Sequence, residues 1–286
     1  MAPCSWERLP AEIRLMILES LVRDPGTRRV GNQGVRLKNR LAPYACVSRE
    51  WRDVFERENF RQLKLSQICL VEFGKIVHRQ RPFVKRIWLD IQMCSYGFKR
   101  SMEPEERAKT ESNEENTRKV IWKLFTVLST WGRDGDCGNR GLTLELSIYS
   151  PSDFKHVFDH YRYDADCESE PVEPSNNDPP ADLPASTALL NALLAGINDP
   201  LAPTSMEILR LFAPSLCLRS YRELPRVYVV DNFLMRRQSR RHLEPAALSR
   251  VLMSLPRLES MHYEIWRKFY RVKQEEEDRG MFLMLK

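Results

Sequence analysis

No stretch of this 286-residue chain approaches the roughly 20 consecutive apolar residues of a bilayer-spanning helix, so no membrane partner is expected. An apolar leader core is missing as well. Trp6, Glu7 and Arg8 interrupt the only place for one, and a reducing intracellular compartment, cytoplasmic or nuclear, is expected. There is no CxxC pair. The seven cysteines (Cys4, Cys46, Cys69, Cys94, Cys137, Cys167 and Cys217) stand singly and are odd in number, which excludes a complete intrachain disulfide framework. They are expected to be buried free thiols acting as small hydrophobes. With eleven glycines, little is available for a phosphate cradle, and no GxGxxG, P-loop, GxSxG or kinase signature occurs. Gly135 and Gly138 lie between a helical pattern and a strand pattern, the reverse of the order a phosphate-binding loop needs, so they read as a turn.

Positive charge is absent between Arg162 and Arg210, where Asp164, Asp166, Glu168, Glu170, Glu173, Asp178 and Asp182 fall. Within it, 163–185 also carries Pro171, Pro174, Pro179, Pro180 and Pro184. Such a composition removes too little apolar surface from water to offset the entropy of ordering, and disorder is expected. The chain as a whole is globular in composition, 42% hydrophobic and 29% charged. The net charge of +6 is concentrated in Arg28, Arg29, Arg36, Lys38 and Arg40, and in Arg236, Arg237, Arg240 and Arg241.

Ile13, Ile17, Leu18 and Leu21 recur at helical spacing, predicting a helix from about Ala11 to Val22 that Pro10 enters and Pro25-Gly26 stops. The basic stretch Gly26 to Lys38 reads as a loop. Helical pattern resumes at Leu41, Tyr44 and Ala45, and again from Ser48 through Trp51, Val54 and Phe55. The Ser48 hydroxyl can cap that last helix. Beyond Phe60 the period changes to two, the mark of a strand with one buried face. It does so at Ile87 to Met93, at Leu142 to Ile148, at Val227 and Val229, and at Met261 to Ile265. Helical stretches separate them at Leu70 to Gln80, Asn116 to Trp131, Thr187 to Ile197 and Pro245 to Ser254. This alternation predicts a mixed α/β fold with parallel pairing and helices packed on the sheet.

The phrase Leu224-Pro225-Arg226-Val227 returns 31 residues later as Leu255-Pro256-Arg257-Leu258. With Val229 and Asn232 the first copy resembles a leucine-rich repeat, whose Asn bonds the backbone where the strand turns. Tyr263 stands at that place in the second copy, so an irregular, insertion-laden repeat array is expected over 59–286. Its two insertions are the charge-dense Ser95 to Thr117 and the acidic 163–185 segment. The tail from Arg267 is expected to close the array with a helix.

His156 and His160, four apart with Asp159, Asp164 and Cys167 near, have a metal-like spacing. Val157 occupies the place of the HExxH glutamate and no third ligand is fixed, so no metal or other cofactor is expected. The four arginines Arg236, Arg237, Arg240 and Arg241 could grip an acidic degron, a phosphopeptide or nucleic acid. Without interleaved aromatics, nucleic acid is the weaker reading.

The amino-terminal pattern carries a family resemblance. Leu9, Pro10, Glu12, Ile13, Ile17, Leu18 and Leu21 match LPxEIxxxILxxL, and Val47, Ser48, Arg49 and Trp51 match VSRxW. Residues 1–58 therefore resemble a three-helix F-box, and with the IWLDI strand after it the chain is similar to the large F-box families of filamentous fungi. The departure is the long basic insert before Leu41. The resemblance implies that Leu9, Pro10, Glu12, Ile13, Ile17, Leu18, Leu21, Val47, Ser48 and Trp51 dock on a Skp-type adaptor and through it on a cullin. The repeat domain would then select a target protein for ubiquitination. A non-enzymatic substrate receptor is thus expected. The competing readings are an F-box module without ubiquitin transfer, a basic repeat protein that binds nucleic acid, and a metal hydrolase at His156 and His160.

Overall fold

A computed structural model describes residues 6–23, 41–101, 103–132, 141–154, 215–218, 223–236, 239, 241–264, 275 and 278–282. After a 3₁₀ turn at Trp6–Arg8, helix α1 spans Ala11–Arg23. A second 3₁₀ turn, Ala42–Cys46, leads into α2, Arg49–Asn59. Ser48 caps α2 as its spacing suggests, its hydroxyl accepting from the Trp51 N–H at 3.3 Å. Ser48→Ala is expected to cost about 1 kcal/mol, read as a lowered thermal midpoint.

The remainder is built on one five-stranded sheet. Its strands are β1 (Gln62–Ser66), β2 (Arg86–Gln92), β3 (Leu142–Tyr149), β4 (Val230–Met235) and β5 (Ser260–Tyr263). Every pair is parallel, and each strand lies beside its predecessor in the chain. The connections are very unequal. Gln62 faces Arg86, 24 residues on, and Asn232 faces Ser260, 28 on. By contrast 57 residues separate Arg86 from Thr143, and 89 separate Thr143 from Asn232.

One face of the sheet is apolar because the strands alternate. Leu63, Ile87, Leu144, Phe233 and Met261 form a continuous rung across all five. Helices α3 (Leu70–Ile76), α5 (Arg107–Leu128) and α6 (Pro245–Met253) supply the rest of that core. From α5 come Val120, Ile121, Leu124, Phe125 and Leu128, at helical spacing and no more than 4% exposed. Each such side chain contributes roughly 1.5–3 kcal/mol on leaving water. Leu18 and Phe55 are also fully buried but lie outside this cluster, so the α1–α2 pair has an interior of its own.

The two parts are joined without slack. Helix α2 ends at Asn59 and β1 begins at Gln62. Phe60 packs against the sheet core, and the Arg61 carbonyl accepts from the N–H groups of both Lys85 and Arg86.

Four expectations change. Helix α5 begins at Arg107, not Asn116, and much of the charge-dense Ser95 to Thr117 segment is its first turns and the short α4, Phe98–Ser101. Its early turns are held by polar contacts: Asn113 Oδ1 accepts from Cys94 N–H at 2.9 Å, and its amide donates to Glu105 at 2.8 Å. The fourth strand lies at Val230–Met235, beyond Val227 and Val229. Asn232 therefore sits within the strand, opposite Ser260 whose hydroxyl donates to it, and does not bind the backbone at a turn. The described cysteines are not buried: Cys46, Cys69 and Cys94 are exposed and Cys217 half-buried. Thr187 to Ile197, the 163–185 segment and the Gly26 to Lys38 loop lie outside the described residues. So do Gly135, Gly138 and most of the tail, where residues 278–282 are helical and Met281 touches the core.

Candidate functional site

Helices α1 and α2 present a compact surface. Four aromatic rings knit it together, with centroids 5.6 Å apart for Trp6–Trp51, 5.2 Å for Tyr44–Phe55 and 5.6 Å for Trp51–Phe55. Glu50 ties the entry segment down. It accepts from Arg14 Nε at 2.9 Å and from Trp6 Nε1 at 3.2 Å. Arg14 also donates to the Leu9 carbonyl at 3.0 Å, which fixes the Leu9-Pro10 entry to α1.

The Arg14 hydrogen bond holds the Glu50 carboxyl below its ordinary value, more than offsetting what desolvation does in the other direction, with Trp6 assisting. A depressed folded value means that the stability from this contact is present above the unfolded carboxylate range. It is lost as pH falls through the folded value. Acid titration of the Trp6–Trp51 fluorescence is therefore expected to show loosening of the entry segment at low pH. Glu50→Gln should remove that transition.

One apolar stripe of α1 is left uncovered. Ile13 is 42% exposed, Met16 65% and Ile17 37%, and these lie on one stripe. Val47 of the second motif is 60% exposed and Tyr44 39%. Pro10, Glu12 and Ser48 are exposed, while Leu9, Leu21 and Trp51 are half-buried. Leu18 differs: it is wholly enclosed by the chain itself, so it holds the α1–α2 pair together and is not part of the open surface.

The second candidate region is the other face of the sheet. Alternation that points Ile87, Leu89 and Ile91 inward points Arg86, Trp88, Asp90 and Gln92 outward. Their neighbours are Lys64 on β1, Glu145 and Tyr149 on β3, and Leu234 on β4. The Lys64 ammonium lies 3.9 Å from the Trp88 ring centroid and 3.2 Å from Asp90 Oδ2. Glu145 is bound from both sides, by Arg86 and by Arg236, whose Nε is 3.5 Å away. The outward row is as legible in the alternation of the sequence as the inward one.

The four arginines do not form one patch. Arg236 lies at the sheet face, bound to Glu145. Arg241 is 2% exposed and paired with Glu105 at 3.3 Å, in the interior, so it is a structural group and cannot grip a target. Arg237 and Arg240 lie outside the described residues, as do His156 and His160. Among the described residues no group of three or more His, Cys, Asp and Glu is placed to hold a metal ion. No helix among them is long and apolar enough to cross a membrane. A polar cleft of about 400 Å³ along α5 is lined by Arg107, Glu111, Glu114, Arg118 and Cys217. Arg107 pairs there with Glu111 and Arg118 with Glu115, whose carboxyl is held down to about 2 by hydrogen bonds from Arg118 and Lys119, while Glu114 accepts from the Cys217 N–H at 3.0 Å.

Compared with protein-family models, with curated proteins and with solved structures, the chain matches none of them.

Proposed function

We propose that the chain is a non-catalytic substrate receptor. Its α1–α2 pair would act as an F-box that docks on a Skp-type adaptor of a cullin-based ubiquitin ligase. Residues from Phe60 onward, an irregular leucine-rich-repeat-like array, would hold the target. One observation carries this reading. Of the residues matching LPxEIxxxILxxL and VSRxW, the apolar Ile13, Ile17 and Val47 are left exposed by the chain.

A stripe of this kind is unusual unless something covers it. A helical pair whose described residues bury only Leu18 and Phe55 completely gains little stability by itself, and burying the stripe against a partner helix adds to it. The sequential parallel order of the strands supports a repeat array, since each strand–helix unit lies against the one before it. The receptor's contribution to ubiquitin transfer is proximity, holding target lysines near a charged conjugating enzyme.

Co-expression with a Skp-type adaptor and a cullin tests the proposal. Elution of all three as one stoichiometric species on size exclusion is the expected result. Adaptor without cullin supports an F-box that serves assembly alone, and failure to bind purified adaptor overturns the reading.

A further inference from the structure

We infer that the corner where α2 enters the sheet is a recognition surface for an acidic segment of a partner polypeptide, held by the open cations of Arg57, Arg79 and Lys85. This goes beyond the receptor reading, and it is tested without an adaptor.

The sequence concentrates positive charge at this corner. Between Glu72 and Asp90 the chain carries Lys75, His78, Arg79, Arg81, Lys85 and Arg86, and no acid. These residues lead from α3 to β2, so the fold brings most of them to the entry end of the first two strands. Helix α2 ends at the same corner. Its Arg57 guanidinium lies 5.9 Å from the centroid of the Phe83 ring. Lys85 is pinned through its backbone on both sides. Its N–H donates to the Arg61 carbonyl at 2.9 Å, and its own carbonyl accepts from the Thr143 N–H at 2.9 Å.

The charge is open and uncompensated. Arg57, Arg79 and Lys85 are exposed, and among the described residues none of the three has a carboxylate within ion-pair distance. Two neighbouring cations are committed and add nothing to the excess. Arg61 pairs with Glu58 at 3.4 Å. Arg81 donates to Thr130 at the end of α5 and lies 5.7 Å from the Trp131 ring centroid, the expected place for a cation at a helix C-terminus. The side chains of the other three donate to no helix carbonyl among the described residues. An ammonium with three N–H groups and a guanidinium with five leave ample donor capacity for incoming carboxylates.

Apolar surface beside these charges points to a polypeptide. Ile76, three residues before Arg79, is 61% exposed, and Pro82 is exposed between Arg79 and Lys85. The free rings on which bases would stack are missing: Phe83 is half-buried beneath Arg57, and Trp131 is buried beneath Arg81. Arg57 stands one helical turn from Arg61, which lies one strand from Lys85, so the two open cations of α2 and β2 are about 10 Å apart. Roughly three residues of extended chain cover that distance. Carboxylates three positions apart thus reach both cations, and an apolar residue near them has Ile76 and Pro82 to cover.

The test uses the full-length chain and a fluorescein-labelled peptide of Ser and Gly carrying three Glu at three-residue spacing and one Leu, together with its Gln counterpart. By anisotropy at low salt the Glu peptide is expected to bind at least about tenfold tighter than the Gln peptide, and added salt should weaken it. Arg79→Gln with Lys85→Gln should lose most of that preference with an unchanged melting curve, and adding Arg57→Gln should abolish it. Lys99→Gln with Lys123→Gln removes the same charge from exposed positions elsewhere and should leave binding intact. Equal binding of the two peptides, equal loss in the two double variants, or no binding at about 1 mM peptide overturns the proposal. So does tighter binding of a single-stranded or duplex oligonucleotide through the same three cations. Adaptor docking, read on the same samples, should be untouched by Arg79→Gln with Lys85→Gln, so a failure of the ligase reading and a failure of this surface are told apart.

Discussion

Replacing Ile13 and Ile17 together by aspartate is expected to abolish stable association with a purified Skp-type adaptor while leaving the chain folded. The two positions are 42% and 37% exposed, so in the free protein the change falls on water-facing surface, where substitutions are usually within about 0.5 kcal/mol. In a complex the same side chains leave water. Losing the transfer free energy of two isoleucines forfeits a substantial part of roughly 1.5–3 kcal/mol each. Burying two unpaired carboxylates in their place costs several kcal/mol more. A loss above about 4 kcal/mol is a thousandfold in Kd. Leu18→Ala is the contrasting control, since that side chain is enclosed by the chain itself. It should lower stability by about 2–5 kcal/mol. Calorimetric titration with adaptor, read beside thermal melts of the free variants, separates the two. Wild-type affinity in the folded double aspartate variant would end the docking argument.

Removing the Arg241 side chain is expected to be among the most damaging single changes in the sheet region. Arg241 and Glu105 are 2% and 10% exposed and 3.3 Å apart. Glu105 in turn accepts from the Asn113 amide, and Asn113 holds the backbone after β2. Arg241→Ala leaves a carboxylate mostly out of water with its cation gone, a change that typically costs about 3–5 kcal/mol. Pairing it with Glu105→Gln removes the orphaned charge, so the double variant should recover part of the loss. Denaturant melts of the two single variants and the double one give the coupling directly. A single Arg241→Ala variant as stable as wild type would place this arginine in water.

The strands that sequence alternation located most closely were those with three or more inward apolar residues. Ile87, Leu89 and Ile91, and Leu142, Leu144, Leu146 and Ile148, reveal β2 and β3 nearly to the residue. Strand β1 escaped because only Leu63 and Leu65 mark it. The fourth strand was displaced because Val227, Val229 and Val230 are all buried, which leaves the phase of the alternation undetermined. The structure also places an extra residue in β4 there: Leu142 pairs with Val230 but Thr143 with Asn232. The skipped Asp231 accepts from the Gly141 N–H at 2.6 Å, and Gly141 supplies the positive φ of 94° that this entry requires. The start of α5 was hidden because its first turns are charged and polar, with Asn113 and Thr117 buried in place of apolar groups. As for sites, the open stripe of α1 was legible from spacing. The interior position of Arg241 was not, because its partner is remote in sequence and nothing local distinguishes it from Arg236.

The direct splice of α2 into β1 has a mechanical meaning. With only Phe60 and Arg61 between them, both engaged by the sheet, there is no swivel at this point. Whatever grips the first helix steers the platform of strands as a handle steers a blade. The angle between the α1–α2 pair and the strands is then built into the chain, and extra glycines inserted after Asn59 would be the way to slacken it.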